Sequence, residues 1–283
     1  MDFKKYEDIA SRIRIDIIKA VHKAGSGHPG GSLSAADIVT ALYFKVMNID
    51  PANPRMEGRD KFILSKGHAG PVQYAALAER GYYGVEDMMS LRKLGSRFQG
   101  HPNRDKVPGI EMSTGSLGQG FAVSVGMAMA GKMDEKTGKK SGRVYVLLGD
   151  GELQEGLVWE AAMAAAHYKL DNLCAVIDRN RLQISGNTED VMGHDDLCER
   201  IRSFGWHVID VKDGNDIDQL NAAFEEAKTV KGKPTAVIAN TVKGCGSSVM
   251  ENKANWHHKV PTQEEYDQII ADFAARKEAA LHE

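Results

Sequence analysis

The chain of 283 residues has little cysteine: Cys174, Cys198 and Cys245, an odd number with no C-x-x-C spacing. That excludes a disulfide framework and a Cys/His zinc site, and it suits a reducing, cytoplasmic compartment. Charge of one sign is also missing. The formal net charge is −3 and the basic residues are scattered, so neither nucleic acid nor a membrane is an expected partner. Long apolar runs are absent as well. The richest stretch, "GFAVSVGMAMAG", is too short and too glycine-rich to span a bilayer and reads as a buried core helix. The N-terminus opens on a charged amphipathic helix, not on an apolar signal core. Neither G-x-S-x-G nor H-E-x-x-H occurs. "GMAMAGKM" (126–133) misses a Walker A motif, because Met133 stands where Ser or Thr must bind Mg²⁺.

Against these absences stands a clear alternation. Short β-rich runs, "KFILS" (61–65), "RVYVLLGDG" (143–151), "NLCAVID" (172–178), "WHVIDV" (206–211) and "PTAVIANT" (234–241), are separated by helical patterns such as "GLVWEAAMAAAHYK" and "IDQLNAAFEEAKTV". Strands alternating with helices predict an α/β fold, a doubly wound, mostly parallel sheet flanked by helices. No linker interrupts the pattern, so residues 1–283 read as a single domain. Polar loops are expected at 51–60 and 131–142. The tail from Thr262 to Glu283 is expected to form an amphipathic helix at the domain's edge.

The stretch "AGSGHPGGS" needs a reading of its own, since Gly25, Gly27 and Gly30 spell the dinucleotide fingerprint G-x-G-x-x-G. That fingerprint works only between a strand and a helix. Here the preceding segment repeats Ile9, Ile13, Ile17 and Val21 every four residues, which is a helical period. The glycines therefore join two helices. A loop holding His28 and Pro29 among so many glycines is either a plain connector or one that carries chemistry.

Ligands of open α/β sheets sit beyond the C-terminal strand ends. There the run at 143–148 passes into "GDGELQEG". A helix start after it aims N–H groups and a positive dipole end at the turn. Asp150 would repel a bare phosphate, which makes sense if a divalent cation lies between them. Asn180 follows about one β-α-β crossover later. An Asp oxygen, an Asn oxygen and a carbonyl are hard ligands suited to Mg²⁺ or Ca²⁺. The same spacing also fits a simple strand–turn–helix with an Asx turn.

Five blocks in one order, "SGHPGGSLS" (26–34), "SKGHA" (65–69), "QGHP" (99–102), "STGSLGQG" (113–120) and "GDGELQEGLVWEA" (149–161), with Asn180 after them, resemble the diphosphate-binding half of the transketolases. The likeness runs from near residue 10 to near 260. It implies the thiamine diphosphate-binding fold and transfer of a two-carbon ketol unit from a ketose phosphate to an aldose phosphate. Carried over, it implies Asp150, Asn180 and the Leu182 carbonyl as ligands of Mg²⁺ (or Ca²⁺). Gly151 and His68 would meet the diphosphate, Gly115 and Leu117 the cofactor's rings, and Glu155 and Glu160 the subunit contact between cofactor sites. His28 and His101 would face substrate, and His257 the reaction centre. Moving protons on hydroxyls near neutral pH is work for which histidine's unperturbed pKa is suited.

Three departures accompany the likeness. Ser116 replaces a usual Pro, and Lys243 replaces a usual apolar residue. "WHHKVP" replaces a His-Gly pair, which leaves His257 and His258 both open as the active residue. Lys243 meets the diphosphate or is a solvated loop charge. These features are closer to the two-gene transketolases. They imply a partner subunit that carries the pyrimidine-binding and C-terminal domains and reads the sugar's phosphate end, in an α2β2 assembly. Competing readings are a non-catalytic relic of the fold and a deoxyxylulose-phosphate-synthase-like subunit.

Overall fold

Seven strands, β1 (Lys61–Leu64), β2 (Val144–Gly149), β3 (Leu173–Arg179), β4 (Leu182–Gln183), β5 (Gly186–Asn187), β6 (His207–Val211) and β7 (Thr235–Asn240), appear in a computed structural model that describes residues 3–282. Five of them pair in the order β1-β2-β3-β7-β6, and every pairing is parallel. The other two, β4 and β5, form a small antiparallel hairpin. Eleven α-helices connect and cover them: α1 (Phe3–Ala24), α2 (Pro29–Ser34), α3 (Ala36–Ala41), α4 (Gly70–Arg80), α5 (Val85–Met88), α6 (Gln119–Lys136), α7 (Gly156–His167), α8 (Thr188–Met192), α9 (Leu197–Ser203), α10 (Ile217–Thr229) and α11 (Gln263–His282). The expected tail helix is α11; its last expected residue, Glu283, lies outside the described residues.

Covering both faces of the sheet explains why β2 reads as an unbroken apolar run. Tyr145 and Leu147, with Cys174, Val176 and Val237, pack against α1, α3, α4 and α10. Val144, Val146 and Leu148, with Ala175, Ile177 and Ile238, pack against α6, α7 and α9. The side-chain period of two thus splits one apolar run between two cores. Edge strand β6 is half-buried over most of its length.

Helix α1 buries Ile9, Ile13, Ile17 and Val21 as its period predicts, and it ends where Gly25 takes a left-handed φ of +65°. "GSGHPG" therefore joins α1 to α2, and no strand precedes it. Two expectations need correction. The loop expected at 131–142 is helical to Lys136, since no breaker precedes Gly138 (φ +80°). Helix α6 is not buried all round: Phe121, Ser124, Val125 and Ala128 are buried, but Gly126 and Ala130 are exposed. A buried Arg14–Asp37 ion pair pins α1 to α3, while Arg14 also donates to the Cys245 carbonyl at 3.2 Å, tying in the loop after β7.

Candidate functional site

Loops leaving the C-terminal ends of β1, β2, β3 and β7 meet in a cleft of about 250 Å³. Its floor is an ion pair. Asp178, near the end of β3, is fully buried and pairs with Lys66, which leaves β1. Ser34 donates to the same carboxylate at 2.6 Å, and Thr241 donates to its other oxygen. Burial alone would raise the Asp178 pKa; the Lys66 ammonium and these donors hold it below the usual carboxylate range. Lys66 also donates to the Gly31 carbonyl at 2.7 Å, which fixes the glycine-rich loop over the floor.

The oxygen donors stand on this floor. Asn180 directs its amide N–H groups to Asp178 (3.3 Å) and Ser34 (3.4 Å), while its Oδ1 accepts from the Leu182 N–H at 3.1 Å. Asp150 accepts from the Gly151 N–H (2.9 Å) and the Arg181 N–H (2.7 Å). Burial, then the nearby Asp178 charge, pushes the Asp150 pKa up against those donors. The Leu182 carbonyl accepts from the Lys243 ammonium at 2.7 Å, and that ammonium lies 3.2 Å from His257 Nδ1. Burial and then Lys66 pull the Lys243 pKa down to about 8. Among the described residues no three His, Cys, Asp or Glu side chains are grouped to hold a metal ion, so a cation here rests on this mixed oxygen set.

Four histidines from four separate loops close over the cleft. The His28 ring lies 5.4 Å from His68, 5.5 Å from His257 and 6.5 Å from His101, and His68 lies 5.0 Å from His257. Burial lowers all four pKa values. His28 falls to about 4, with Arg92 the next cause, and His257 to about 3, with Lys243 next. His68 falls well below its usual value, and the more open His101 is lowered by burial and Arg92. The imidazoles are therefore neutral at pH 7. His28 Nδ1 is buried without a hydrogen-bond partner.

The remaining expected residues sort by position. Gly115 backs the His101 ring, where an added Cβ would stand 3.3 Å from it. Leu117, Gly151 and Glu155 line the cleft. Glu160 is exposed on α7 and does not line it. His257 lines the cleft, whereas His258 is exposed with its ring 6.4 Å from that of His257. Sequence reasoning passes over Lys66, Ser34, Thr241, Asp178 and Glu152. Glu152 is buried and accepts from Ser65 and from the Gly118 (2.8 Å) and Gly149 (3.1 Å) N–H groups, clamping two glycine turns together. The signal available is a charge ending a buried apolar strand, as in "AVID", which is seldom tolerated without a partner.

Comparison with known proteins agrees with this geometry. Residues 5–278 match the family model described as transketolase, thiamine diphosphate binding domain. One of the two subunits of an apulose-4-phosphate transketolase from Phocaeicola vulgatus is 44% identical over 278 residues, 98% of this chain and 97% of that protein. A 6-deoxy-6-sulfo-D-fructose transketolase subunit of a Clostridium species is 42% identical over 93% of this chain and 94% of its own length. Among solved structures, a Pichia stipitis transketolase superposes with a TM-score of 0.88 at 34% identity. All of this chain is covered, but it spans only 45% of that protein.

Proposed function

This chain belongs to the transketolase family, and from that we propose that it acts as the N-terminal, thiamine diphosphate-binding subunit of a split transketolase, moving a two-carbon ketol unit from a ketose phosphate to an aldose phosphate. The observation that carries the reading is the convergence of Asp150, Asn180, the Leu182 carbonyl and four neutral histidines on one cleft at the strand ends. The family match over residues 5–278 supports treating residues 1–283 as one diphosphate-binding domain. A relative that is itself named a transketolase subunit, and is covered over 97% of its length, supports a separate partner chain. We assign that partner the pyrimidine-binding and C-terminal domains, in an α2β2 assembly with Glu155 and Glu160 toward the contact. Three free cysteines suit the cytoplasm. Among the described residues no helix is long and apolar enough to cross a membrane.

The residues present fit the cofactor and a divalent cation. Three hard oxygen donors share the cleft with the buried ammonium of Lys243, which has no carboxylate partner among the described residues, and such a group calls for an anion. A Cβ at Gly31 would point toward Lys66 Nζ and His68 Nε2 at 3.8 Å, so glycine keeps that wall open. Asp150, Asn180 and the Leu182 carbonyl would hold Mg²⁺ (or Ca²⁺). His68, Gly151 and Lys243 would hold the diphosphate, and Gly115 and Leu117 the rings. When bound, thiamine diphosphate supplies a carbanion for attack on a ketose carbonyl and a store for the electrons of the broken carbon–carbon bond. The chain's own part is proton management. His28, His101 and His257, held neutral, accept and return protons at the substrate's carbonyl and hydroxyl oxygens.

Co-expression with and without a partner chain tests the reading. Ketol transfer is expected only from the complex, and full turnover by this chain alone would overturn it. Asp150→Ala should fold but lose cofactor affinity in Mg²⁺, as calorimetry would show.

A further inference from the structure

Beside the histidine cleft, on the His101 side, the surface opens into a second recess of about 730 Å³, lined by Ser26, Arg92, Lys93, Gly100, His101 and Lys106 among others. Three of these side chains are cations, and among the described residues none of the three is paired with a carboxylate. Their neighbours Arg97 and Arg104 do pair, with Asp87 and Asp105. The recess is thus basic, and it shares His101 with the site where the substrate's carbonyl end is placed.

Arg92 is held in position there. Its backbone adopts a left-handed φ of +58°, uncommon for a residue with a side chain, and its N–H donates to the Phe98 carbonyl at 2.8 Å. One guanidinium N–H donates to Ser26 Oγ at 2.9 Å. The guanidinium lies against Gly100 so closely that an added Cβ there would stand 2.7 Å from it. Ser26 belongs to the loop that presents His28, and Gly100 directly precedes His101. One planar cation therefore bridges the two loops that carry the substrate-side histidines. After burial, its charge is the largest influence lowering the pKa of both.

We propose that Arg92, with Lys93 and Lys106 beside it, receives the terminal phosphate of the sugar whose carbonyl end lies at His28 and His101. This rests on the ketol-transfer reading and adds to it: this subunit itself reads the charged end of the substrate, rather than leaving that to its partner. The chemistry suits the task. After bonding to Ser26 the guanidinium keeps N–H donors free, and its fork matches a phosphate's oxygens in a way a lysine cannot. The two lysines add charge without geometry, which fits a site that takes phosphates on sugars of differing length.

The test uses the assembled complex, saturated with thiamine diphosphate and Mg²⁺, and two acceptors that differ only in the phosphate: glyceraldehyde 3-phosphate and glyceraldehyde. Arg92→Met should lower kcat/KM for the phosphorylated acceptor about tenfold or more, the size of a lost charge-assisted hydrogen bond, and change it less than about threefold for the other. Arg92→Lys should restore part of the loss. Equal losses for both acceptors, or none for either, would overturn the assignment. Equilibrium binding of inorganic phosphate to the same complexes provides a second arm. If wild type transfers to neither acceptor, the ketol-transfer reading fails, but roughly tenfold weaker phosphate binding by Arg92→Met still upholds the anion site and unchanged binding refutes it.

Discussion

The Lys243 ammonium and the Leu182 carbonyl form a 2.7 Å hydrogen bond, so the oxygen available to a cation already carries one. A metal ion must displace that ammonium, whereas a diphosphate arriving with the metal offers it a new partner. Mg²⁺ alone should bind weakly. Lys243→Met should tighten Mg²⁺ binding and weaken that of thiamine diphosphate, each by about tenfold, since hydrogen bonds to charged groups are worth about 1.5–3 kcal/mol. Calorimetric titrations of metal alone and of cofactor with metal check this. Two affinities that fall together would end the exchange idea.

Asp178→Asn keeps the shape of the floor but leaves the Lys66 ammonium buried without its charge partner. Removing one member of such a pair costs about 3–5 kcal/mol. The urea midpoint should drop accordingly, and adding Lys66→Met should recover part of the loss. A single variant as stable as wild type would show that the pair does not hold the floor.

Substitution of the substrate-side histidines should separate turnover from cofactor binding. His28→Ala and His101→Ala in the complex are expected to cut kcat by roughly 10²–10⁴-fold, the usual range for a lost acid–base group. Cofactor affinity should stay near wild type. A cofactor defect as deep as that of Asp150→Ala would reassign them to the diphosphate.

Stability should fall on the acid side, and the sign follows from His28. Its pKa is near 6.5 in the unfolded chain and about 4 in the folded one, with burial the main cause. As pH drops from about 6.5 toward 4, the unfolded state binds a proton that the folded state refuses, so folding is progressively disfavoured. Urea midpoints of the cofactor-free chain at pH 7, 6 and 5 should decline, and His28→Gln should flatten the decline. An identical slope in the variant would remove His28 as a cause.

The strands are legible in the sequence because parallel pairing buries both faces: "VYVLL" must be apolar throughout, and Val144–Leu148 is buried throughout. Asp150 and Asn180 are legible because glycine turns at strand ends mark ligand sites, and they do share the cleft. What escapes is the support. Ser34, Lys66, Asp178 and Thr241 become partners only in three dimensions, and nothing in their local spacing announces an ion pair. The length of α6 escapes too, because "GKMDEK" is polar and polarity suggests a loop, although these residues form helix well. Helical period alone also cannot show that Gly126 and Ala130 on α6 face outward.

The Asp178 carboxylate joins Ser34, Lys66 and Thr241 across sequence separations of 144, 112 and 63 residues. Such closures must wait until the strands between them are in register, because long-range contacts carry their entropy cost before they return any stability. The cleft is therefore among the last features to take shape as the chain folds. A cofactor cannot template it from a partly ordered chain; it can only trap the finished form. Added thiamine diphosphate should accordingly slow unfolding and leave the refolding rate unchanged.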